Sequence, residues 1–311
     1  MTEPLTSPLA ASASKLADEL NSQNFPHAAL YVLATPIGNI TDISLRALKI
    51  LNMVEAIACE DTRNTAQLLK RYGIEKNLFA AHQHNEHEVA EKIIQRLQNK
   101  ERIALVSDAG TPGISDPGAR IVNAVLEAGL QVIPIPGASA VATALSASGL
   151  LSDQFYFAGF LPAKARQRDA VLAELSPLKA TLVFYEAPHR IVESVNALTQ
   201  AYGPDRQIVF ARELSKLFEQ IHRCSLGEAS DWLASDAHHQ RGEFVLLVEG
   251  APASSESAAQ EVQRILKILL EECSVSQAAN LAARITGEKK NTLYQMALAI
   301  HQQDTDAQPP E

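Results

Sequence analysis

The feature that most constrains this chain is a run of glycines and prolines directly after an apolar segment, in IALVSDAGTPGISDPG at residues 103–118. The segment Ile103–Val106 is typical of a strand buried in a parallel sheet, and Asp108 follows where that strand is expected to end. Open α/β sheets bind ligands at this edge. The loop beyond it carries residues that permit close backbone approach or stiffen the chain, namely Gly110, Gly113, Gly118, Pro112 and Pro117. The stretch predicts a ligand-binding loop, and a tight strand–helix turn without a ligand is the alternative.

Apolar strands alternate with amphipathic helices on both sides of this loop, which predicts an α/β fold with a parallel sheet covered by helices. The pattern restarts near residue 150, and the last segment has only helical periodicity. We therefore expect two α/β domains and a small C-terminal helical module. The predicted boundaries are a disordered tail at 1–28, an N-terminal α/β domain at 29–150, a C-terminal α/β domain at 151–250, and a linker with a helix-turn-helix-like appendage at 251–311.

Composition narrows the class of protein. The 311 residues suffice for two cores, and no apolar run approaches the ~18 residues that span a bilayer. The three cysteines are far apart and the N-terminus lacks a signal-peptide pattern, which favours a reducing cytoplasm and excludes a cysteine-based zinc site. A formal net charge of −9 favours a small-molecule enzyme over a protein that grips nucleic acid non-specifically. It does not exclude a large RNA substrate that meets a local basic patch.

Two familiar nucleotide-binding patterns are absent from the sequence. No G-x-G-x-x-G occurs, so the dinucleotide fingerprint is missing. GISDPGAR at 113–120 has the outer glycines of a P-loop, but Ala119 and Arg120 stand where Lys and Ser or Thr are required. The histidine-rich segment at 82–88 is interpreted as a solvated or substrate-facing loop rather than a metal site. Asn85 and Glu88 predict a capping box at the start of the helix that follows.

Further polar groups follow other predicted strands. PIPGASA at 134–140 opens a helix whose free N–H groups suit an anionic or polar ligand group, or whose start is simply capped by Ser139. CEDTRNT at 59–65 places charged side chains at a neighbouring strand end. Basic residues of the second half, namely Lys164, Arg166, Arg168, Arg190, Arg212 and Lys216, predict a basic rim around a cleft between the domains.

Eight motifs, in order, carry a resemblance to a known family: ATPIGN, CEDTRNT, SDAGTPGISDPG, PIPGASA, FAGFLP, FYEAPHR, FARELSK and GEFVLLVEG. Together they resemble the tetrapyrrole methylase-like superfamily over about residues 29–250. Within it they are most similar to the branch that 2′-O-methylates a cytidine (C1402) in the decoding region of 16S rRNA. The appendage also resembles the helix-turn-helix-like tail of that branch, whereas the Ser/Ala-rich N-terminus has no counterpart.

The resemblance implies that S-adenosylmethionine binds in the cleft between the two domains, with no metal. Carried over by motif, the cofactor-binding residues are Pro36, Ile37, Asp108, Gly110, Thr111, Ser139, Ala140, Tyr185, Ala211 and Phe244. The partner it implies is 16S rRNA in the small ribosomal subunit, and it also suggests a homodimer.

The expected reaction is direct methyl transfer to a ribose 2′-oxygen, for which the protein mainly supplies positioning and desolvation. Glu60 or Asp61 is the predicted base for the hydroxyl proton, with Arg63 as a phosphate or electrostatic partner. Two alternatives remain open. One is a methyltransferase acting on a small tetrapyrrole-like substrate, which the negative charge would suit. The other is a non-enzymatic RNA-binding assembly factor, which would not need glycine and proline loops at several strand ends.

Overall fold

The computed structural model describes residues 15–306 except 17, 83, 84, 253 and 254. Its chain divides into two compact units, Met1–Glu249 and Gly250–Glu311. Most of the predicted N-terminal tail lies outside the described residues, but residues 18–21 are helical and Phe25 packs against the first core. Within the described part of the chain, no helix combines the length and apolar character needed to cross a membrane.

The first half of the larger unit is built on a parallel sheet of five strands in the order β3-β2-β4-β1-β5. Its central strands are almost completely buried, because helices cover both faces and leave no side chain in water. The strands are β1 (Ala29–Leu33), β2 (Ala56–Cys59), β3 (Leu78–Ala80), β4 (Arg102–Val106) and β5 (Gln131–Ile135).

Five helices follow these strands and start at polar caps. Ser44, Asp61 and Ser139 each accept a backbone N–H of the first turn that they precede, which satisfies donors that a helix start leaves free. The helices are α1 (Leu45–Met53), α2 (Thr62–Arg71), α3 (Glu86–Gln98), α4 (Ala119–Glu127) and α5 (Ala140–Ser148), with a 3₁₀ turn at Ile40–Asp42. Separate apolar cores form on the two faces of the sheet.

The predicted capping box at Asn85 is wrong, although the helix that it was expected to start is present as α3. The Asn85 side chain makes no cap hydrogen bond; its Oδ1 accepts from the backbone N–H of His82 and its Nδ2 donates to the carbonyl of Ala80. The amide is therefore engaged by the preceding turn and is unavailable to the helix.

The second half carries a mixed sheet in the order β6-β7-β10-β8-β9, in which only β6 and β7 are parallel. Its strands are β6 (Phe155–Phe160), β7 (Thr181–Glu186), β8 (Gln207–Arg212), β9 (Gln220–Ser225) and β10 (Phe244–Val248). The predicted hairpin after β8 is present as the antiparallel pair β8–β9. Helices α6 (Ala165–Leu175), α7 (Ile191–Tyr202) and α8 (Leu226–Ser235) and a 3₁₀ turn at Ala237–Gln240 complete this half.

The two halves of the larger unit share an apolar cluster. Val141 and Ala144 of α5 pack with Val183 of β7, Ala211 of β8 and Val245 of β10. Helix α5 therefore belongs to the first half by sequence and covers the sheet of the second. This arrangement holds the carboxyl ends of β1 and β4 against the second sheet.

The C-terminal unit consists of three helices, α9 (Ser255–Glu272), α10 (Val275–Thr286) and α11 (Lys290–Asp306). Ser274 and Gln277 form a capping box at the start of α10, and Gly287 ends it at φ 75°. Leu266 and Leu293 lie in a small core of the unit's own. The predicted α/β fold with C-terminal helices is confirmed.

Candidate active site

A cavity of about 330 Å³ opens where the loops of the first sheet meet the second sheet. The first half contributes Ile37, most of the loop at 109–116, and the start of α5. The second half contributes apolar side chains on and beside its strands, namely Phe160, Tyr185, Ala211, Leu214, Phe244 and Val245. The cavity thus combines bare backbone on one side with an apolar wall on the other, the combination typical of sites for small organic ligands.

The glycine loop is held in place by backbone hydrogen bonds to the end of β1. The N–H of Thr35 donates to the carbonyl of Gly110 at 2.8 Å, and the N–H of Gly110 donates back to Thr35 at 3.0 Å. Gly110 has φ 81°, and a Cβ there would lie 3.4 Å from Cγ2 of Ile37. The Thr111 hydroxyl donates to the carbonyl of Ala138, joining this loop to the turn before α5. Glycine is required here because the backbone itself lines the cavity.

The start of α5 forms the neighbouring part of the wall. Ser139 and Ala140 line the cavity, and the Ser139 hydroxyl accepts the N–H of Ala142 as a helix cap. The backbone of Val141 hydrogen-bonds with the Tyr185 hydroxyl across the junction between the halves. Burial, followed by the charge of Asp116, raises the pKa of Tyr185, so its hydroxyl stays protonated near neutral pH.

Eight of the ten predicted cofactor-binding residues line this one cavity, namely Ile37, Gly110, Thr111, Ser139, Ala140, Tyr185, Ala211 and Phe244. The other two, Pro36 and Asp108, lie outside the lining. Pro36 is buried beside it. Asp108 is exposed and accepts the N–H of Asp61 at 3.1 Å and the side-chain amide of Asn64 at 2.7 Å, so it ties the end of β4 to the start of α2.

The three predicted catalytic residues also lie outside the lining. Arg63 pairs with Asp61 at 2.7 Å while its side chain stays 85% exposed. Its hydrogen bonds lower the pKa of Asp61 to about 2, which makes that carboxylate a weak base. Burial and the neighbouring Asp108 raise the pKa of Glu60.

Asp116 is a cavity residue that the sequence analysis did not single out. It is half-buried on the wall, and burial, Glu60 and Asp108 raise its pKa to about 6. The available signal was the second Ser-Asp of the loop, Ser115-Asp116, which repeats the pattern of Ser107-Asp108. Nothing in the sequence distinguishes which of the two carboxylates turns toward the cavity.

Glu186 fixes the turn of the FYEAPHR motif. Its carboxylate is completely buried, accepts the Ala187 N–H at 2.8 Å and the Ser194 hydroxyl, and lies 3.6 Å from Nε of Arg190. Arg190 in turn donates to the carbonyl of Leu161 at 2.5 Å. The network joins the ends of β6 and β7 behind the cavity.

The loop after β8 closes the other side of the cavity. Lys216 pairs with Glu213 at 2.8 Å and with Glu243 at 2.7 Å. The Ser215 hydroxyl donates to Asp42 of the first half. Both Glu213 and Ser215 have positive φ, at 51° and 66°, so the surrounding contacts hold a backbone conformation that these residues rarely adopt.

The predicted basic rim is wrong for several of its members. Arg168 is buried and pairs with Glu193 at 2.9 Å, and Arg212 is buried with its guanidinium on Gln220. Lys216 is paired twice, as described above. Lys164 and Arg166 are exposed. Long side chains that follow apolar strands bury their stems and take nearby partners, so their charge is neutralised inside the fold.

In the histidine-rich segment, His84 lies outside the described residues, and His87 is exposed with Nδ1 3.6 Å from a carboxylate oxygen of Glu91. No cluster of three or more possible metal ligands occurs among the residues that the structure describes.

The fold and the cavity define the class of protein. The model of the Tetrapyrrole (Corrin/Porphyrin) Methylases family matches residues 29–230, and that of the RsmI C-terminal HTH domain matches residues 256–301. The solved structure of the cobalamin biosynthetic enzyme cobalt precorrin-4 methyltransferase has the same fold. It covers 72% of this chain and 95% of its own, with a TM-score of 0.52 and 16% identity.

Curated relatives narrow the class further. Ribosomal RNA small subunit methyltransferase I of Pseudomonas aeruginosa is 51% identical over 271 residues, which cover 86% of this chain and 96% of the relative. The protein of the same name from Escherichia coli O157:H7 is 47% identical over 86% of this chain and 94% of its own. The chain belongs to the tetrapyrrole methylase family and, within it, to the ribosomal RNA small subunit methyltransferase I group.

Proposed function

We propose that this protein transfers a methyl group from S-adenosylmethionine to the 2′-hydroxyl of a cytidine, C1402, in the decoding region of 16S rRNA. The observation that carries the proposal is one cavity, built by both halves, that collects eight residues from motifs spread over the larger unit. The printed names of the relatives supply the substrate class, a ribosomal RNA of the small subunit. The work of such an enzyme would place it in the cytoplasm.

The cavity fits the methyl donor in both shape and polarity. The N–H groups at the start of α5 suit a carboxylate, since a helix N-terminus favours negative charge. The apolar side chains of Ala211, Phe244 and Val245 suit the flat adenine ring. Asp116 places a negative charge where a sulfonium cation would be bound. The donor, when bound, supplies an activated methyl group on a good leaving group.

The protein's own contribution is to position the acceptor and to exclude water. Ile37 and Thr111 hold the bare backbone of Gly110 open toward the ligand, while Tyr185 stays protonated and available as a hydrogen-bond donor. Fixing both reactants in one closed cavity replaces a bimolecular encounter and is the largest advantage available to such a transfer. Pro36 and Asp108 contribute by holding the strand ends that carry these groups.

The predicted roles of Glu60, Asp61 and Arg63 concern the approach of RNA more than the methyl group in this proposal. All three lie at the carboxyl end of β2, beside the cavity and outside its lining. Arg63 is exposed enough to meet a phosphate, although its charge is shared with Asp61. The assignment of the base to Glu60 or Asp61 remains a prediction.

The proposal includes a homodimer. Large apolar side chains on or beside the edge strand β6 are exposed, with Leu151 at 98%, Phe155 at 56% and Phe160 at 53%. An exposed apolar edge strand favours association, and a second copy of the chain is the partner that the family suggests.

The test is transfer of tritium from labelled S-adenosylmethionine to small ribosomal subunits that lack the modification, followed by mapping of the labelled nucleotide. Label in 16S rRNA at a 2′-oxygen of C1402 supports the proposal, and label on another nucleotide refutes the assigned position. A parallel reaction with a porphyrinogen tests the tetrapyrrole alternative. Transfer to that substrate alone would overturn the RNA assignment.

A further inference from the structure

Three carboxylates lie on the cavity wall as far as the structure describes it: Asp116, Glu186 and Glu243. Two of them are committed to other groups. Glu186 accepts the Ala187 N–H and the Ser194 hydroxyl and faces Arg190, and Glu243 pairs with Lys216 at 2.7 Å. No histidine belongs to the same described lining. Asp116 is therefore the basic group of the wall that no cation engages.

The position of Asp116 is fixed by the loop around it. The following Gly118 has φ 131°, and its N–H donates to a carboxylate oxygen of Glu86 at 2.8 Å. On the other side, the Ser115 Oγ lies 3.2 Å from the place of a Cβ on Gly159, so the loop contacts the bulge of β6. The carboxylate is held between the two halves of the unit rather than on a free surface.

We propose that Asp116 accepts the proton of the substrate ribose 2′-hydroxyl during methyl transfer. This inference rests on the proposed function and deepens it by naming a catalytic residue. The ribose 2′-oxygen forms a bond to the methyl carbon while the carbon–sulfur bond breaks and its electron pair remains on sulfur. The hydroxyl proton passes to a carboxylate oxygen of Asp116, which later returns it to water. Charge balances, because one cation and one carboxylate become a neutral thioether and a neutral acid.

The charges around Asp116 tune it for this role. Glu60 at the end of β2 and Asp108 at the end of β4 face it, Tyr185 of β7 faces it from the second half, and Ser107 hydrogen-bonds to it. Burial and the two carboxylates raise the pKa of Asp116 to about 6, whereas the Ser107 bond opposes the rise. A carboxylate with this pKa is ionised at neutral pH and is a stronger base than an ordinary aspartate. Glu60 acts through Asp116 as a positioning residue in this scheme.

The experiment measures single-turnover methylation of small ribosomal subunits by the full-length protein at saturating donor. The variants are Asp116→Asn, Asp116→Glu and the exposed control Asp169→Asn on α6. Donor affinity is measured separately by calorimetry. Loss of a general base predicts a rate decrease of about 10²- to 10⁴-fold for Asp116→Asn, partial recovery for Asp116→Glu, and no change for Asp169→Asn. Donor affinity should stay within about twofold of the wild type, since the change removes a proton acceptor.

The pH profile keeps the inference testable if Asp116→Asn fails to fold. The wild-type rate should fall tenfold per unit below about pH 6. Glu60→Gln should shift this limb to lower pH, because it removes a negative neighbour of Asp116. Unchanged turnover of folded Asp116→Asn, a flat profile, or complete loss of turnover in Glu60→Gln would overturn the inference. A folded Asp116→Asn protein that loses donor affinity and keeps its turnover rate would instead make Asp116 a donor-binding group. Wild-type protein that labels no RNA would refute the proposed function itself.

Discussion

Gly137, in the turn between β5 and α5, offers a stringent test of how the cavity is built. A Cβ at this position would lie 2.8 Å from the Cβ of Ala34 and 3.4 Å from its carbonyl oxygen. Ala34 is buried at the end of β1, and the adjacent Thr35 is tied to Gly110 by two backbone hydrogen bonds. The strand side therefore has little freedom, and a Gly137→Ala change must displace the turn that leads into α5.

The size of the effect follows from this geometry. Ordinary contacts of a Cβ begin at 3.4 Å, so the two methyl groups must separate by 3.4 minus 2.8, or 0.6 Å. Such overpacking of a filled site costs about 1–3 kcal/mol of unfolding free energy. The displacement also reaches Ser139 and Ala140 on the cavity wall. Because a 1 Å misplacement of a positioning group costs about 10²-fold, we expect a loss of donor affinity or turnover of about tenfold.

Urea unfolding and calorimetric titration with S-adenosylmethionine measure the two effects separately. Gly129→Ala is the matched control: it has φ 71° and open space around the new Cβ, so it should lose about 1–2 kcal/mol through backbone strain without changing donor affinity. Ala34→Gly combined with Gly137→Ala removes one of the two clashing methyl groups and should recover affinity. A Gly137→Ala protein with wild-type stability and affinity would refute the packing argument, and so would a double variant no better than the single one.

The remaining predictions concern charge and the C-terminal unit. Arg190→Leu should cost about 3 kcal/mol in urea unfolding because it leaves the buried Glu186 carboxylate without its cation, and adding Glu186→Leu should lessen the loss; strictly additive effects would contradict this. Burial, followed by the nearby His239, lowers the pKa of His222, so the fold favours its neutral form and stability should decrease as pH falls below 6.5. Emission of Trp232, which stacks between these two imidazoles, monitors the transition, and the decrease should shrink in His222→Gln. Deleting the C-terminal unit should weaken binding to small ribosomal subunits and leave donor affinity unchanged; equal binding to the subunit by the truncated protein would assign that unit a purely structural role.

The main features of the fold were predictable because they depend on local chemistry. The apolar run at Ile103–Val106 is buried whatever covers it, and Gly110 and Gly118 do adopt the positive φ that their residue type permits. The helix starts at Ser44 and Ser139 follow from a hydroxyl that can accept a first-turn N–H. Each of these requirements is met by residues that are close together in the sequence.

The orientation of charged side chains was not predictable in the same way. Asp108 and Asp116 stand in nearly identical sequence contexts, yet the first ties two loops together and the second lines the cavity, since the partners that separate them come from β2 and β7. Arg168 could be counted as a surface cation until α7 supplied Glu193. A long side chain chooses among partners that only the tertiary fold brings within reach.

The pair of hydrogen bonds between Thr35 and Gly110 has a consequence for the time scale of motion at the site. A glycine-rich loop on the surface normally exchanges its amide hydrogens within the ordinary range for fraying segments. Here the Gly110 amide is bonded as it would be in a sheet, and the Thr35 hydroxyl also donates to the carbonyl of Ser107 at 3.1 Å. We therefore expect the Gly110 amide to exchange as slowly as those of β1 itself. A ligand then meets a wall that is already ordered, so little of its binding free energy is spent on arresting the loop.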